Sequence, residues 1–158
     1  MDSGTRRLTD TWLIDDSGTT HKGDFLLHQD GSFSDSKGDE DVIETIDGSN
    51  RLVTRSLQNW HTHLGMILNR GMGEGLPLLE WLETAIFPVE KGLTSELVEV
   101  GTRAAAAEMI ATGTTYACDM YYYTQTIGET LAETGVRATL CGPITDGLTP
   151  NFKPGSGD

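Results

Sequence analysis

The sequence predicts an α/β chain: a small all-β part over residues 1–54, then the opening of a parallel sheet with crossover helices over residues 55–158. Three observations carry this. The hydrophobic period changes near residue 54, from short apolar pieces between turn clusters to strands alternating with helical patterns. The order after the change is strand, helix, strand, helix, strand, which requires right-handed parallel crossovers. With 158 residues, 37% of them hydrophobic, the chain also has the apolar material for a core.

In the first part, residues 11–14, 24–28 and 42–46 are short β-prone runs, and the Gly- and Asp-rich clusters 15–18, 29–32 and 47–50 punctuate them. That spacing predicts a β meander. Residues 52–60 read as one strand, followed by a Gly-rich loop. Thr94 is a good N-cap for a helix whose stripe is Leu97, Val100, Ala104, Ala107 and Ala111, ended by Gly113. Residues 114–118 form a β-prone run ending at Asp119. A second helix opens with a capping box, Thr126 and Glu129, and closes at Gly135. A third strand at 137–141 stops at Gly142 and Pro143, and 148–158 has the composition of a loop. Only about three strands fit, whereas a complete (β/α)8 barrel takes about 250 residues. The expectation is therefore an architecture that ends partway.

Composition narrows the partners. Twenty-four acidic against eleven basic residues give a net charge of −13. Such a surface repels nucleic acid and anionic membranes, and an acidic, lysine-poor surface suits a halophilic source. No apolar run approaches the ~20 residues that a membrane-spanning helix needs. The first residues lack the apolar stretch of a secretory signal. Cys118 and Cys141 lie far apart without CxxC spacing, in apolar surroundings, so they read as reduced core thiols in a cytoplasmic protein.

One motif carries chemistry: His61, Thr62 and His63 at the end of the strand 52–60. Side chains two apart on a strand point to the same side, so both imidazoles can reach one ion. Imidazole suits zinc, iron or nickel, but a catalytic zinc takes about three protein ligands and a water, and this motif offers two. The glycines of residues 71–75 lack the Lys-Ser/Thr of a phosphate loop, so a flexible loop is expected there. Tyr121, Tyr122 and Tyr123 follow a strand end and either stack on a purine or pack under the second helix.

The residues around this motif resemble the amidohydrolase superfamily, in the branch of S-adenosylhomocysteine/methylthioadenosine deaminases and triazine chlorohydrolases. The resemblance runs from Leu52 and Val53 through Asn59, Trp60, His61, Thr62, His63, Leu64, Gly65 and Met66. It continues with Asn69, Arg70 and Gly71, with Leu76, Pro77 and Leu78, and with Glu80, Trp81 and Leu82. Phe87, Pro88, Val89 and Glu90, then Leu93 and Thr94, Glu108 and Met109, and Gly113, Thr114 and Thr115 extend it to Asp119, Met120 and Tyr121. It covers residues 51–147, and residues 1–50 match loosely as part of the β-sandwich flanking the barrel.

The resemblance implies the first part of a TIM-type (β/α)8 metal-dependent hydrolase barrel, with His61 and His63 as metal ligands for a divalent ion, zinc above iron or nickel. It implies that Glu90 grips the ribose hydroxyls, since two accepting oxygens suit a vicinal diol, and that Trp81 stands near the substrate. The activity implied is hydrolytic deamination of an adenosine-type nucleoside by metal-activated water. The small-molecule partner is then a nucleoside, with a homo-oligomer or a complementary chain as further partners. Guanine deamination, or removal of chloride or an amine from a triazine, keeps the mechanism and changes the ring; a ribose-gripping acid has no job there. Glu90 has a second reading as a solvated helix-end acid, and Trp81 as a core residue.

Departures accompany the likeness. Arg55, Ser56, Leu57 and Gln58 stand where the family usually shows Pro-Gly, and Trp60 replaces a small residue, to crowd the metal mouth or to line a more apolar pocket. The family's later histidine ligands, catalytic glutamate and metal-binding aspartate have no counterparts within these 158 residues, and His21 and His28 match no ligand position. No catalytic residue is expected here. The chain alone is expected to fold poorly and to be inactive, as a truncated product or one half of a split protein.

Overall fold

The computed structural model describes residues 4–144; the loop expected at 148–158 lies outside them. The chain divides into two compact units, Met1–Arg55 and Ser56–Asp158.

The first unit is one mixed sheet. β1 (Arg6–Ile14) lies at its centre, antiparallel to β2 (Thr20–Leu27), which in turn pairs antiparallel with β3 (Phe33–Asp35). The meander expectation fails beyond this point. β4 (Glu44–Asp47) and β5 (Leu52–Val53) return on the other side of β1 and pair with its two halves in parallel. A bulge between Leu8 and Thr11 divides those halves, with Asp10 at φ 51° and its N–H donated to Asp24 Oδ1 at 2.8 Å. A bulge bends and twists a strand locally, so one long strand can take two short partners. Phe25, Leu26 and the hydroxyl-bearing Thr11 are its buried side chains among the described residues.

The second unit begins with β6 (Leu57–Thr62), so residues 52–60 are not a single strand. Leu52 and Val53 belong to the first sheet and residues 54–56 pair with neither. β6, β7 (Thr114–Met120) and β8 (Arg137–Cys141) form a three-stranded, wholly parallel sheet in chain order. A 3₁₀ turn, Leu64–Asn69, leaves the end of β6. Next come α1 (Leu78–Trp81), a π-helical turn (Leu82–Ile86) and α2 (Phe87–Glu90) in unbroken succession. Pro88 in α2 has no N–H to continue the regular ladder, and widening of the preceding turn accommodates it.

α3 (Ser95–Ala111) starts at Thr94, whose side chain accepts from Leu97 N–H. Its buried face is Val98, Gly101, Thr102, Ala105, Ala106 and Met109. The stripe expected from the sequence, Leu97, Val100, Ala104, Ala107 and Ala111, is instead the exposed face. Both sets recur at three- and four-residue steps, so periodicity alone could not choose between them. α4 (Thr124–Thr134) opens on Tyr123 in the left-handed region, without a side-chain cap. Thr126 and Glu129 lie inside it, so the expected capping box is absent, while Gly135 closes it at φ 80°. The core joins Val98, Ala106 and Met109 of α3 to Ala117 of β7 and Ile127 and Leu131 of α4. Cys118 and Cys141 are free of disulfides, the first half-buried and the second exposed, so only Cys118 approaches the expected core position. Among the described residues no helix is long and apolar enough to cross a membrane.

Candidate metal and substrate site

β6 and β7 create the site where they end. A register irregularity falls between Asn59 and Thr62, so the ladder does not itself hold the histidine segment in regular alternation. Nevertheless the two imidazoles converge: Nε2 of His61 and Nε2 of His63 are 3.2 Å apart, with the rings nearly perpendicular. Two zinc–nitrogen arms of 2.0–2.1 Å at a tetrahedral angle would separate their nitrogens by about 3.3 Å. The pair therefore has the geometry of two ligands of one ion. His63 Nδ1 lies 2.6 Å from the Met120 carbonyl oxygen. An N–H at Nδ1 donating there leaves the Nε2 lone pair free on the side of His61, the arrangement usual around ligating histidines. Among the described residues no group of three or more His, Cys, Asp or Glu side chains is gathered for a metal.

Beside His63 lies a cavity of about 240 Å³, lined chiefly by Trp81, Ile86, Phe87, Glu90, Tyr121 and Tyr122. Ligand pockets run from about 300 Å³ upward, so this one suits part of a nucleoside-sized molecule. Glu90, at the end of α2, is only 8% exposed, which removes its reading as a solvated helix-end acid. Burial pushes its carboxyl above the ordinary range, while Tyr121 and the nearby His63 pull it back. The Tyr121 hydroxyl is buried without a hydrogen bond of good geometry, and burial together with the Glu90 charge drives its pKa strongly up. Buried polar groups without partners are rare, and at a cavity they are groups a ligand can satisfy.

Trp81 lines the cavity half-buried and donates Nε1–H to the Met72 carbonyl at 2.8 Å. That bond ties the helix to the Gly-rich turn. Gly73 there has φ 65°, and a Cβ would stand 2.8 Å from both Ala85 and Trp81, so only glycine fits. The tyrosine run divides: Tyr121 and Tyr122 face the cavity, while Tyr123 starts α4 and donates to the Leu93 carbonyl at 3.0 Å. Trp60 does neither thing expected of it. It is 66% exposed, packs against Tyr116 at 5.0 Å between ring centroids, and is absent from the cavity lining.

The sequence marks Asp119 as a strand end and as part of the family likeness, but assigns it no role at the site. This residue is 1% exposed, and its Oδ1 accepts from the Thr62 hydroxyl at 2.8 Å and the Leu64 N–H at 2.6 Å. Burial raises its pKa, opposed by those two bonds and by His63. An acid at the C-terminal end of the strand beside the histidines was the available signal. A larger, open depression of about 520 Å³ lies in the first unit, but its acids are engaged, Asp15 by Ser17, Thr19 and His21 and Asp16 by Arg55. It offers no group for chemistry. His28 is likewise engaged, 2.8 Å from the Ser34 hydroxyl.

Comparison with known proteins agrees with this architecture. The model of the amidohydrolase family matches residues 52–153, and the chain belongs to that family. It is 38% identical over 121 residues to the 5'-deoxyadenosine deaminase of Methanococcus vannielii, covering 77% of this chain and 29% of that protein. It is 42% identical over 113 residues to the 5-methylthioadenosine/S-adenosylhomocysteine deaminase of Syntrophobacter fumaroxidans, covering 72% of this chain and 26% of that one. Among solved structures, atrazine chlorohydrolase from Arthrobacter aurescens TC1, complexed with zinc, superposes with a TM-score of 0.74 at 19% identity, over 87% of this chain and 35% of the other. That likeness shows the fold: this is part of a TIM-type barrel. The chain spans less than a third of the length of these two deaminases.

Proposed function

We propose that this chain supplies the opening strands of a hydrolase that deaminates adenosine-type nucleosides, with His61 and His63 as two ligands of a zinc-type divalent ion. The observation that carries the reading is the 3.2 Å convergence of the two Nε2 atoms beside a cavity holding a buried acid. When bound, such an ion polarises the reacting group and activates water near neutral pH. The chain's own residues do the rest of the work assigned to them here. His63 is oriented through Nδ1 by the Met120 carbonyl. Glu90 accepts from the two ribose hydroxyls, which replace water around a carboxylate that burial has stripped of it. Trp81, Phe87 and Tyr122 give the nucleoside an apolar wall and exclude water from it. The base that moves the proton is not among these residues.

The assay is ammonia release from 5'-deoxyadenosine and methylthioadenosine. It is run on the 158-residue chain and on a chimera carrying the remaining barrel of the Methanococcus vannielii relative. The chain alone is expected to be inactive and the chimera active. Glu90→Ala should raise the chimera's KM roughly 10- to 100-fold, the worth of hydrogen bonds to a charged group. A chimera that ignores nucleosides yet dechlorinates or deaminates triazines would replace this reading with the triazine one. The same names of relatives favour the nucleoside, as does an acid in the cavity that a triazine would not use.

A further inference from the structure

We propose that Asp119 is a positioning residue that presets the His61–His63 turn before any metal binds, a role that rests on the metal reading of that pair. The need for such a device is visible in the chain. β6 stops at Thr62, its ladder is irregular from Asn59 onward, and His63 already lies beyond the strand. Backbone pairing therefore leaves the second imidazole unfixed. The neighbouring strand supplies the fixation instead. Asp119 Oδ1 accepts from the Thr62 hydroxyl and from the Leu64 N–H, the residues on either side of His63, and Met120 O accepts from His63 itself. Residues 62, 63 and 64 are thus each bound to the end of β7. The Thr62 hydroxyl also lies 3.1 Å from the Cys118 carbonyl, which draws the same turn to the same strand.

Packing closes the turn from the other side. A Cβ on Gly65 would stand 2.8 Å from the Tyr121 ring, and one on Gly101 of α3 would stand 2.7 Å from the Gly65 carbonyl oxygen. The backbone after the histidines has no room to shift. A carboxyl at position 119 is costly if its only task is to fill space, since burying a polar group without full pairing costs free energy. Asp119 Oδ2 has no partner, so the cost is real. One oxygen that accepts from both flanks of His63 is what the site receives in return. Ligating imidazoles depend on such supports, whose loss typically weakens metal binding about 10- to 100-fold.

The test uses the 158-residue chain, metal-stripped and labelled in histidine, with the His63 tautomer read by nitrogen–proton NMR and zinc then titrated in. The wild-type chain should show His63 protonated at Nδ1 without metal. Asp119→Ala should mix the tautomers and weaken zinc binding about tenfold. Asp119→Asn keeps the accepting Oδ1 and should stay within roughly threefold of wild type. Should Asp119→Ala fail to fold, Thr62→Val decides with it, because it removes one of the two donors and should give an intermediate loss. Mixed tautomers in the metal-free wild type would overturn the proposal. So would variants that keep both the tautomer and the zinc affinity, or an Asp119→Asn as impaired as Asp119→Ala. A wild-type chain that holds the tautomer while its imidazoles ignore zinc would sink the metal reading alone, leaving Asp119 as a clamp for another purpose.

Discussion

In the first unit four acids in or beside turns are held in their charged form by hydrogen bonds; in the second, the two buried acids stand at the ends of a strand and a helix, where burial favours the neutral form. Asp15, Asp30, Glu40 and Asp47 are all lowered, chiefly by hydrogen bonds from neighbouring serines and backbone N–H groups. Glu90 and Asp119 are raised, in both cases chiefly by burial. Glu96, at the start of α3, is the second unit's acid of the first kind. The cores differ in the same sense. Phe25 and Leu26 are the buried hydrophobics of the first unit, whereas α3, β7 and α4 enclose a continuous apolar cluster in the second. The lesson is that an acid can be structural or available. Turn acids are bound up in local geometry, and a protein tolerates an underpaired buried acid where it has a use for it.

The comparison can be broken most forcefully at the second core. Ile127→Ala should cost about 2–5 kcal/mol, because the side chain is fully buried and leaves a cavity. Hydrogen exchange should then show lost protection in β7, α3 and α4 while amides of β1 and β2 keep theirs; uniform loss across both units would mean that they unfold as one. A smaller effect, with opposite signs in the two units, is expected from neutralising one acid in each. Glu40 is lowered to about 2, so its contribution to stability is present above its ordinary pKa near 4.5 and is lost as pH falls toward 2. Glu40→Gln should therefore destabilise the first unit at pH 7, with the difference from wild type vanishing near pH 2. Glu90 is raised, so its ionisation opposes folding increasingly as pH rises above about 4.5. Glu90→Gln should leave the second unit slightly more stable at pH 7 and unchanged at pH 4. Thermal melts across that range check both signs. Smallest of all, Leu97→Lys on the exposed face of α3 should change stability by no more than about 0.5 kcal/mol. A large loss would mean that this face is covered in solution.

Much of the architecture was legible. Strand–helix alternation revealed three parallel strands, Thr94 and Gly113 bounded α3, and two histidines at the end of a strand marked the site. Other features depended on contacts that no local pattern records. The stripe on α3 was read on the wrong side because Leu97, Val100 and Ala104 are as periodic as Val98, Thr102 and Ala105. Which face is buried depends on where the sheet lies. Thr126 and Glu129 have the spacing of a capping box, yet Tyr123 caps the helix three residues earlier.

By itself, then, the sequence determined the order and type of the second unit's three strands and of α3 and α4, because hydrophobic period and cap residues act over a few positions; the helical run from Leu78 to Glu90 it left unread. It also determined the family, through many spaced motifs that agree at once. Tertiary structure alone decided that β4 and β5 share β1 in parallel, that Glu90 is buried, and that Trp60 turns to Tyr116. It alone brought Asp119 under the histidine turn, 57 residues along the chain from Thr62. These are consequences of strand register and close packing between distant segments, and a hydrogen bond across two strands leaves no period in either one.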